Sequence, residues 1–133
     1  MDFLPSGLAN FLVYFVSALV AEGLFLLLYV KITPHREFTL IRSGNVAAAI
    51  SLGGAVLGFT LPIASTIMNS VTLQDMIVWS AVALIAQLAV FTLLSLAFRD
   101  LSRRISADDR AAGITLAVAS LTIGVLNAAC LTY

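Results

Sequence analysis

One carboxylate, Glu22, sits inside FVSALVAEGLFLLLYVK, a stretch from Phe15 to Lys31 that is otherwise free of charge until its last residue. An acidic side chain near the centre of a membrane-crossing helix opposes insertion by roughly 2.5–3.5 kcal/mol even on the mild translocon scale. No Lys or Arg lies within any long apolar run of the chain, so a salt bridge at the same depth is not available. Protonation, water, or hydrogen bonds to Tyr, Ser, Asn or Gln must offset that cost. A desolvated carboxyl of this kind is a candidate proton carrier or cation ligand. The plainer alternative is a neutral acid that bonds to Gln87, Tyr14 or a neighbouring subunit and fixes helix packing.

At about 100° per residue, Asn10, Tyr14, Ser17, Ala18, Ala21 and Glu22 fall within about a third of a helical turn, so the carboxyl belongs to a small and polar stripe. Ser80, Ala83 and Gln87 form a fainter stripe of the same kind further along. Glu22, Gln87, Tyr14 and Ser17 are therefore the candidate intramembrane polar site. Catalysis finds less support, since the chain has no HExxH, no GxSxG, no Cys and His couple and no Gly-rich phosphate loop. An enzyme is not expected, and neither a cofactor nor a metal. The single cysteine, Cys130, excludes an intramolecular disulfide.

The elements that must position these residues follow from composition. The chain has 133 residues, 61% apolar and only 11% charged, with a mean hydropathy of +1.07; a soluble domain is nearer half apolar and a quarter charged. Four continuous apolar runs, Leu8 to Val30, Val46 to Met68, Met76 to Phe98 and Ala111 to Leu131, each reach the roughly 20 residues that a spanning helix needs. Continuous runs rather than alternating ones predict helices, which satisfy their own backbone hydrogen bonds in hydrocarbon. The opening MDFLPSG lacks a basic start, so the first helix is expected to be retained.

All seven Lys and Arg fall in two connections, Lys31, Arg36 and Arg42 in one and Arg99, Arg103, Arg104 and Arg110 in the other. The positive-inside rule places both in the cytoplasm and both termini outside. Each connection reads as a basic interfacial step. Thr33 and Pro34 can start a short helix in the first, and Ser106 with Asp109 suits a capping box for the last helix. Lys31, His35, Arg36, Arg42, Arg103 and Arg104 are the candidate contacts to anionic headgroups or a soluble partner.

The chain also reads as a duplication. NVAAAISLGGAVL from Asn45 matches DRAAGITLAVASL from Asp109 at an offset of 64, and Ile41 matches Ile105 at the same offset. The first and third helices align at an offset of 65, which puts Glu22 opposite Gln87. Two helices per unit make the repeat parallel, with hairpins over 1–70 and 71–133 and an approximate two-fold axis along the membrane normal.

In the second helix Ala47, Ser51, Gly54, Gly58, Ser65 and Asn69 share one narrow face. Gly54 and Gly58 form a GxxxG motif that lets backbones approach closely. Pro62 frees the Gly58 carbonyl and is expected to kink the helix. Ser51, Gly54, Gly58 and Pro62 are the expected packing residues.

Taken with its neighbours, the stretch ITPH followed by GNVAAAISLGGAVLGFTLPIAS, with DMIVWSAVALIAQLAVF, SRRI, AAGI and LNAACLTY further on, resembles the bacterial inner-membrane family called domain of unknown function 350. The resemblance implies a four-helix inner-membrane protein and brings no catalytic residues. It also implies gene sets that carry membrane-stress and envelope-maintenance proteins, which favours a role that depends on partners.

The expected molecule is an all-α membrane protein with four transmembrane helices arranged as two parallel hairpin repeats. Its expected partners are the lipid bilayer, further copies of itself or other membrane and peripheral proteins, and no nucleic acid. A small oligomeric channel or proton-coupled transporter that uses Glu22 is the alternative.

Overall fold

The structure, a computed structural model, describes residues 6–32 and 37–132. Among these described residues six helices follow one another: α1 (Ser6–Ile32), α2 (Glu37–Arg42), α3 (Val46–Asn69), α4 (Leu73–Ala97), α5 (Arg99–Ser106) and α6 (Arg110–Cys130). Among the described residues α1, α3, α4 and α6 are the four helices long and apolar enough to cross a membrane. The protein is an integral membrane protein. α4 starts three residues before the expected Met76 because Thr72 accepts from the Asp75 backbone N–H and caps the helix earlier.

α3 and α6 form the centre. They make the most extensive contact of any two helices and run parallel, with Ala47 against Gly113, Gly54 against Ala117, and Gly58 against Ser120 and Gly124. In lipid nothing is gained by hiding apolar surface between helices, so close backbone approach over small residues supplies the association. Ser51, Gly54, Gly58 and Pro62 are all buried on that face. α3 runs on through Pro62, and the carbonyl that Pro62 leaves without its N–H, that of Gly58, turns onto the Cα of Gly124. A carbonyl against Cα hydrogens is a weak hydrogen bond that recurs where helices approach this closely.

α4 lays Met76, Ser80, Ala83, Gln87 and Phe91 against this pair, every one of them buried at spacings of three or four residues. α1 is peripheral. Among its described side chains only Phe25 and Tyr29 are buried, whereas α3 buries twelve residues. Phe25 stacks on Phe59 of α3 with ring centroids 4.5 Å apart, and Tyr29 meets Phe91 of α4 at 4.5 Å. These aromatic contacts anchor the C-terminal third of α1. The middle of α1 leaves an apolar groove of about 350 Å³ against α4, between Val16, Ser17 and Val20 on one side and Met76, Ser80 and Leu84 on the other.

The short helices α2 and α5 end in the same way. Asn45 N–H donates to the Leu40 carbonyl and Asp109 N–H to the Arg104 carbonyl, each at 2.9 Å. Gly44 (φ 90°) and Asp108 (φ 61°) hold the left-handed position that closes such a helix end. Gly, Asn and Asp tolerate that conformation best. The last helix is capped by Asp109 itself, which accepts from Ala111 and Ala112 N–H. Ser106 does not play the capping role expected of it, because it is the last residue of α5 and its hydroxyl donates to the Ser102 carbonyl.

The two turns are also tied to each other. Asn45 caps α3 through Ala48 N–H at 2.8 Å, while its amide donates 2.8 Å to the Ile105 carbonyl at the end of α5. Asp108 accepts from Ala47 N–H at 3.0 Å. His35 and Arg36, with Thr33 and Pro34, lie outside the described residues.

Candidate functional site

The four residues expected to share one polar site are separated by the fold. Glu22 is half-buried in the seam between α1 and α3. Its Oε1 lies 2.9 Å from the hydroxyl of Thr60, which also lies 2.8 Å from the Val56 carbonyl. A threonine hydroxyl has one hydrogen, so both contacts are hydrogen bonds only when the carboxyl brings the second. Glu22 Oε2 is enclosed and has no partner among the described residues.

Gln87 is elsewhere, buried between α4 and α6. Its amide donates to the Ser120 carbonyl at 3.3 Å, and Asn127 donates to Gln87 Oε1 and to the Ala83 carbonyl, both at 3.1 Å. Ser17 lines the apolar groove between α1 and α4. Tyr14 is partly exposed on α1. Among the described residues no hydrogen bond joins any two of Glu22, Gln87, Tyr14 and Ser17.

Thr60 was not legible as a partner, because helical spacing assigns it to the lipid side of α3, opposite the small face. Depth is the signal that would have found it. Glu22 lies ten residues from the end of α1 and Thr60 fourteen from the start of α3, about 15 and 21 Å from the same end of the bundle. Both are thus near the middle of a hydrocarbon layer about 30 Å thick. Asn127 stands out in sequence as a polar group in an apolar helix, but its attachment to Gln87 depends on how α4 packs.

The interior is closed by its own polar contacts. Thr66 and Ser80 hydroxyls are 3.2 Å apart across α3 and α4, and Ser65 donates 2.7 Å to the Ala128 carbonyl of α6. Among the described residues no three His, Cys, Asp or Glu side chains come together as metal ligands would.

At the charged end, the guanidinium of Arg104 donates through Nε to Asp109 Oδ2 at 2.8 Å, and Arg103 pairs with Asp100. The Arg104 hydrogen bond holds the Asp109 carboxyl below the usual carboxylate range, helped by the two backbone N–H groups it caps. Lys31, Arg42 and Arg110 are exposed at the same end.

A glycine-faced α3, a buried Gln87, and basic turns closed alike fit one pattern along the whole chain, and a family model matches residues 3–131. The chain belongs to the family described as Domain of Unknown Function (DUF350). It is 39% identical to the UPF0719 inner membrane protein YjfL of Escherichia coli (strain K12) over the full length of both chains. It is 28% identical to the UPF0719 transmembrane protein YshE of Bacillus subtilis (strain 168), over 96% of this chain and 97% of that protein. No solved structure matches the chain.

Proposed function

We propose that this protein is an inner-membrane component that acts by assembling within the bilayer, first with further copies of itself, and that Glu22 and Thr60 mark the assembly face. The observation that carries this reading is the place of the pair. Thr60 is exposed and Glu22 half-buried, midway through the membrane, on the outside of a bundle in whose interior Gln87 and Asn127 pair with each other. Intramembrane ionisable residues almost always face a bundle interior, a cavity or a partner. A second chain over the seam would supply that interior.

Small residues beside the pair favour close approach. Gly23 next to Glu22, and Gly53 two turns from Thr60, both have open space where a side chain would stand. The proposal takes the positive-inside orientation, with termini periplasmic and basic turns cytoplasmic. It also takes the two like-built turns as the trace of a duplicated hairpin. Membrane or peripheral proteins of the envelope are the second class of partner.

Oxidative cross-linking in membranes tests the assembly. In a Cys130→Ser background, Thr60→Cys is expected to give a cross-linked dimer, and Leu126→Cys, exposed on α6, is expected to give none. A single-chain mass in lipid nanodiscs together with no cross-link at position 60 overturns the proposal. If wild-type protein instead carries protons or cations across reconstituted vesicles and Glu22→Gln abolishes the flux with assembly unchanged, the small channel or proton-coupled transporter takes its place.

A further inference from the structure

A second groove lies at the charged end of the bundle, far from Glu22. It encloses about 300 Å³, the lower end of the range of about 300–1,000 Å³ typical of ligand sites. Leu94 and Phe98 from the end of α4, Leu101 from α5, and Leu116 and Ala119 from α6 make its walls. The polar side chains that line it are Thr115 and Arg104. The Thr115 hydroxyl is spent on the Ala111 carbonyl at 2.8 Å. Arg104 is therefore the group left to recognise a ligand.

Arg104 is held in place. Its Nε donates to Asp109, whose other oxygen is fixed by Ala111 and Ala112 N–H at the start of α6. The guanidinium has five N–H donors and stays cationic at any ordinary pH. The ion pair uses Nε, and no acceptor among the described residues takes the terminal nitrogens. An arginine set this way by a capped carboxylate presents a fork to a phosphate.

We propose that this groove binds an anionic phospholipid, with an acyl chain along α6 and the headgroup phosphate on Arg104. The depth fits one leaflet. Ala119 lies nine residues past Arg110, about 14 Å along the helix, or about half of a 30 Å hydrocarbon layer. The cation stands at the end of the bundle where Lys31, Arg42, Arg103 and Arg110 also lie, at the level of headgroups. The larger groove between α1 and α4 has no cation in its lining and offers nothing for a headgroup to hold. Basic pockets between spanning helices are a known form of lipid recognition. The site stands whether or not the protein assembles through Glu22.

Native mass spectrometry of the full-length protein, released from detergent with phosphatidylglycerol or phosphatidylcholine at equal concentration, tests the site. Wild type is expected to retain phosphatidylglycerol over phosphatidylcholine by about five-fold, the effect of one arginine at the membrane surface. Arg104→Gln removes that preference. Arg103→Gln, a change in a cation already paired with Asp100 outside the groove, leaves it in place. Ala119→Trp, which fills the groove, lowers retention of both lipids while thermal stability in detergent reports that the bundle is intact. Inorganic phosphate alone neither stabilises the protein nor displaces the lipid. The proposal is overturned if Arg104→Gln keeps the preference, if Arg103→Gln loses it equally, if Ala119→Trp changes nothing, if phosphate competes, or if a second protein chain occupies the groove in place of lipid.

Discussion

The carbonyl oxygen of Gly58 takes the space a side chain on Gly124 would fill, so the helix turn that Pro62 deprives of a hydrogen bond is one at which α3 and α6 meet backbone to backbone. Pro62 and Gly124 are thereby linked through a residue that neither touches in sequence. The proline exposes a carbonyl, and the absent side chain on the other helix lets that carbonyl be covered.

Gly124→Ala is expected to destabilise the bundle, because the new Cβ meets backbone rather than a flexible side chain. Overpacking of a tight contact costs about 1–3 kcal/mol. Gly54→Leu and Gly58→Leu should act in the same direction and more strongly. Gly53→Ala, with open space around it, serves as the control. Thermal unfolding in detergent reads all four, and a Gly124→Ala protein as stable as wild type would remove the close-packing account.

Asn45 does two things at once, and two substitutions separate them. Asn45→Asp keeps the oxygen that caps α3 at Ala48 but loses the amide that reaches Ile105. Asn45→Ala loses both. The aspartate variant is expected to lose about 1 kcal/mol, the net worth of one hydrogen bond, since the Ile105 carbonyl keeps the Asp108 N–H as its other donor. The alanine variant should lose about 1 kcal/mol more for the cap. An aspartate variant as stable as wild type would mean that the tie between the turns contributes nothing, and equal stability of the two variants would mean the same of the cap.

The faces that bury themselves were legible and their neighbours were not. Spacing alone identifies Ser51, Gly54 and Gly58 as one face of α3 and Ser80, Ala83 and Gln87 as one face of α4, and both faces are buried. The same arithmetic on α1 finds an equally good stripe, yet Tyr14, Ser17 and Glu22 are only partly covered. The reason is physical. In lipid an apolar surface has no need to be hidden, so the position of a helix is set by where small residues permit contact and where aromatic rings interlock. Phe25 and Tyr29 decide the seat of α1, and nothing in their spacing names Phe59 and Phe91 as the rings they meet. Glu22 and Gln87 occupy matching positions in the proposed repeat, but α1 and α4 do not occupy matching seats, and so the acid and the amide have different partners.

A double-mutant cycle distinguishes those partners. Glu22→Leu and Thr60→Val should be coupled, because each removes the other's hydrogen bond, by about 0.6 kcal/mol as is typical between membrane helices. Glu22→Leu and Gln87→Leu share no partner and should be additive within about 0.3–0.5 kcal/mol. Gln87→Leu alone should be destabilising, since it strips Asn127 of an acceptor and Ser120 of a donor. Measured coupling between Glu22 and Gln87 that exceeds that between Glu22 and Thr60 would contradict the seating of α1 described above.

The Arg104 to Asp109 pair gives stability a defined dependence on pH. The folded protein holds the Asp109 carboxyl lower than the unfolded chain does, first through the Arg104 hydrogen bond and then through the cap of α6. A lowered value means that the contribution is complete above the ordinary carboxylate range of about 3.9 and is lost as pH falls through the folded value below it. Asp109→Asn keeps a good capping residue and removes the charge. The stability difference between wild type and Asp109→Asn should therefore stay constant from neutral pH to mildly acidic pH and shrink only in stronger acid. Both side chains are substantially exposed, so added salt should narrow the same difference at neutral pH. Thermal unfolding in detergent across pH and salt measures both trends, and a difference that grows on acidification would reverse the sign argued from this pair.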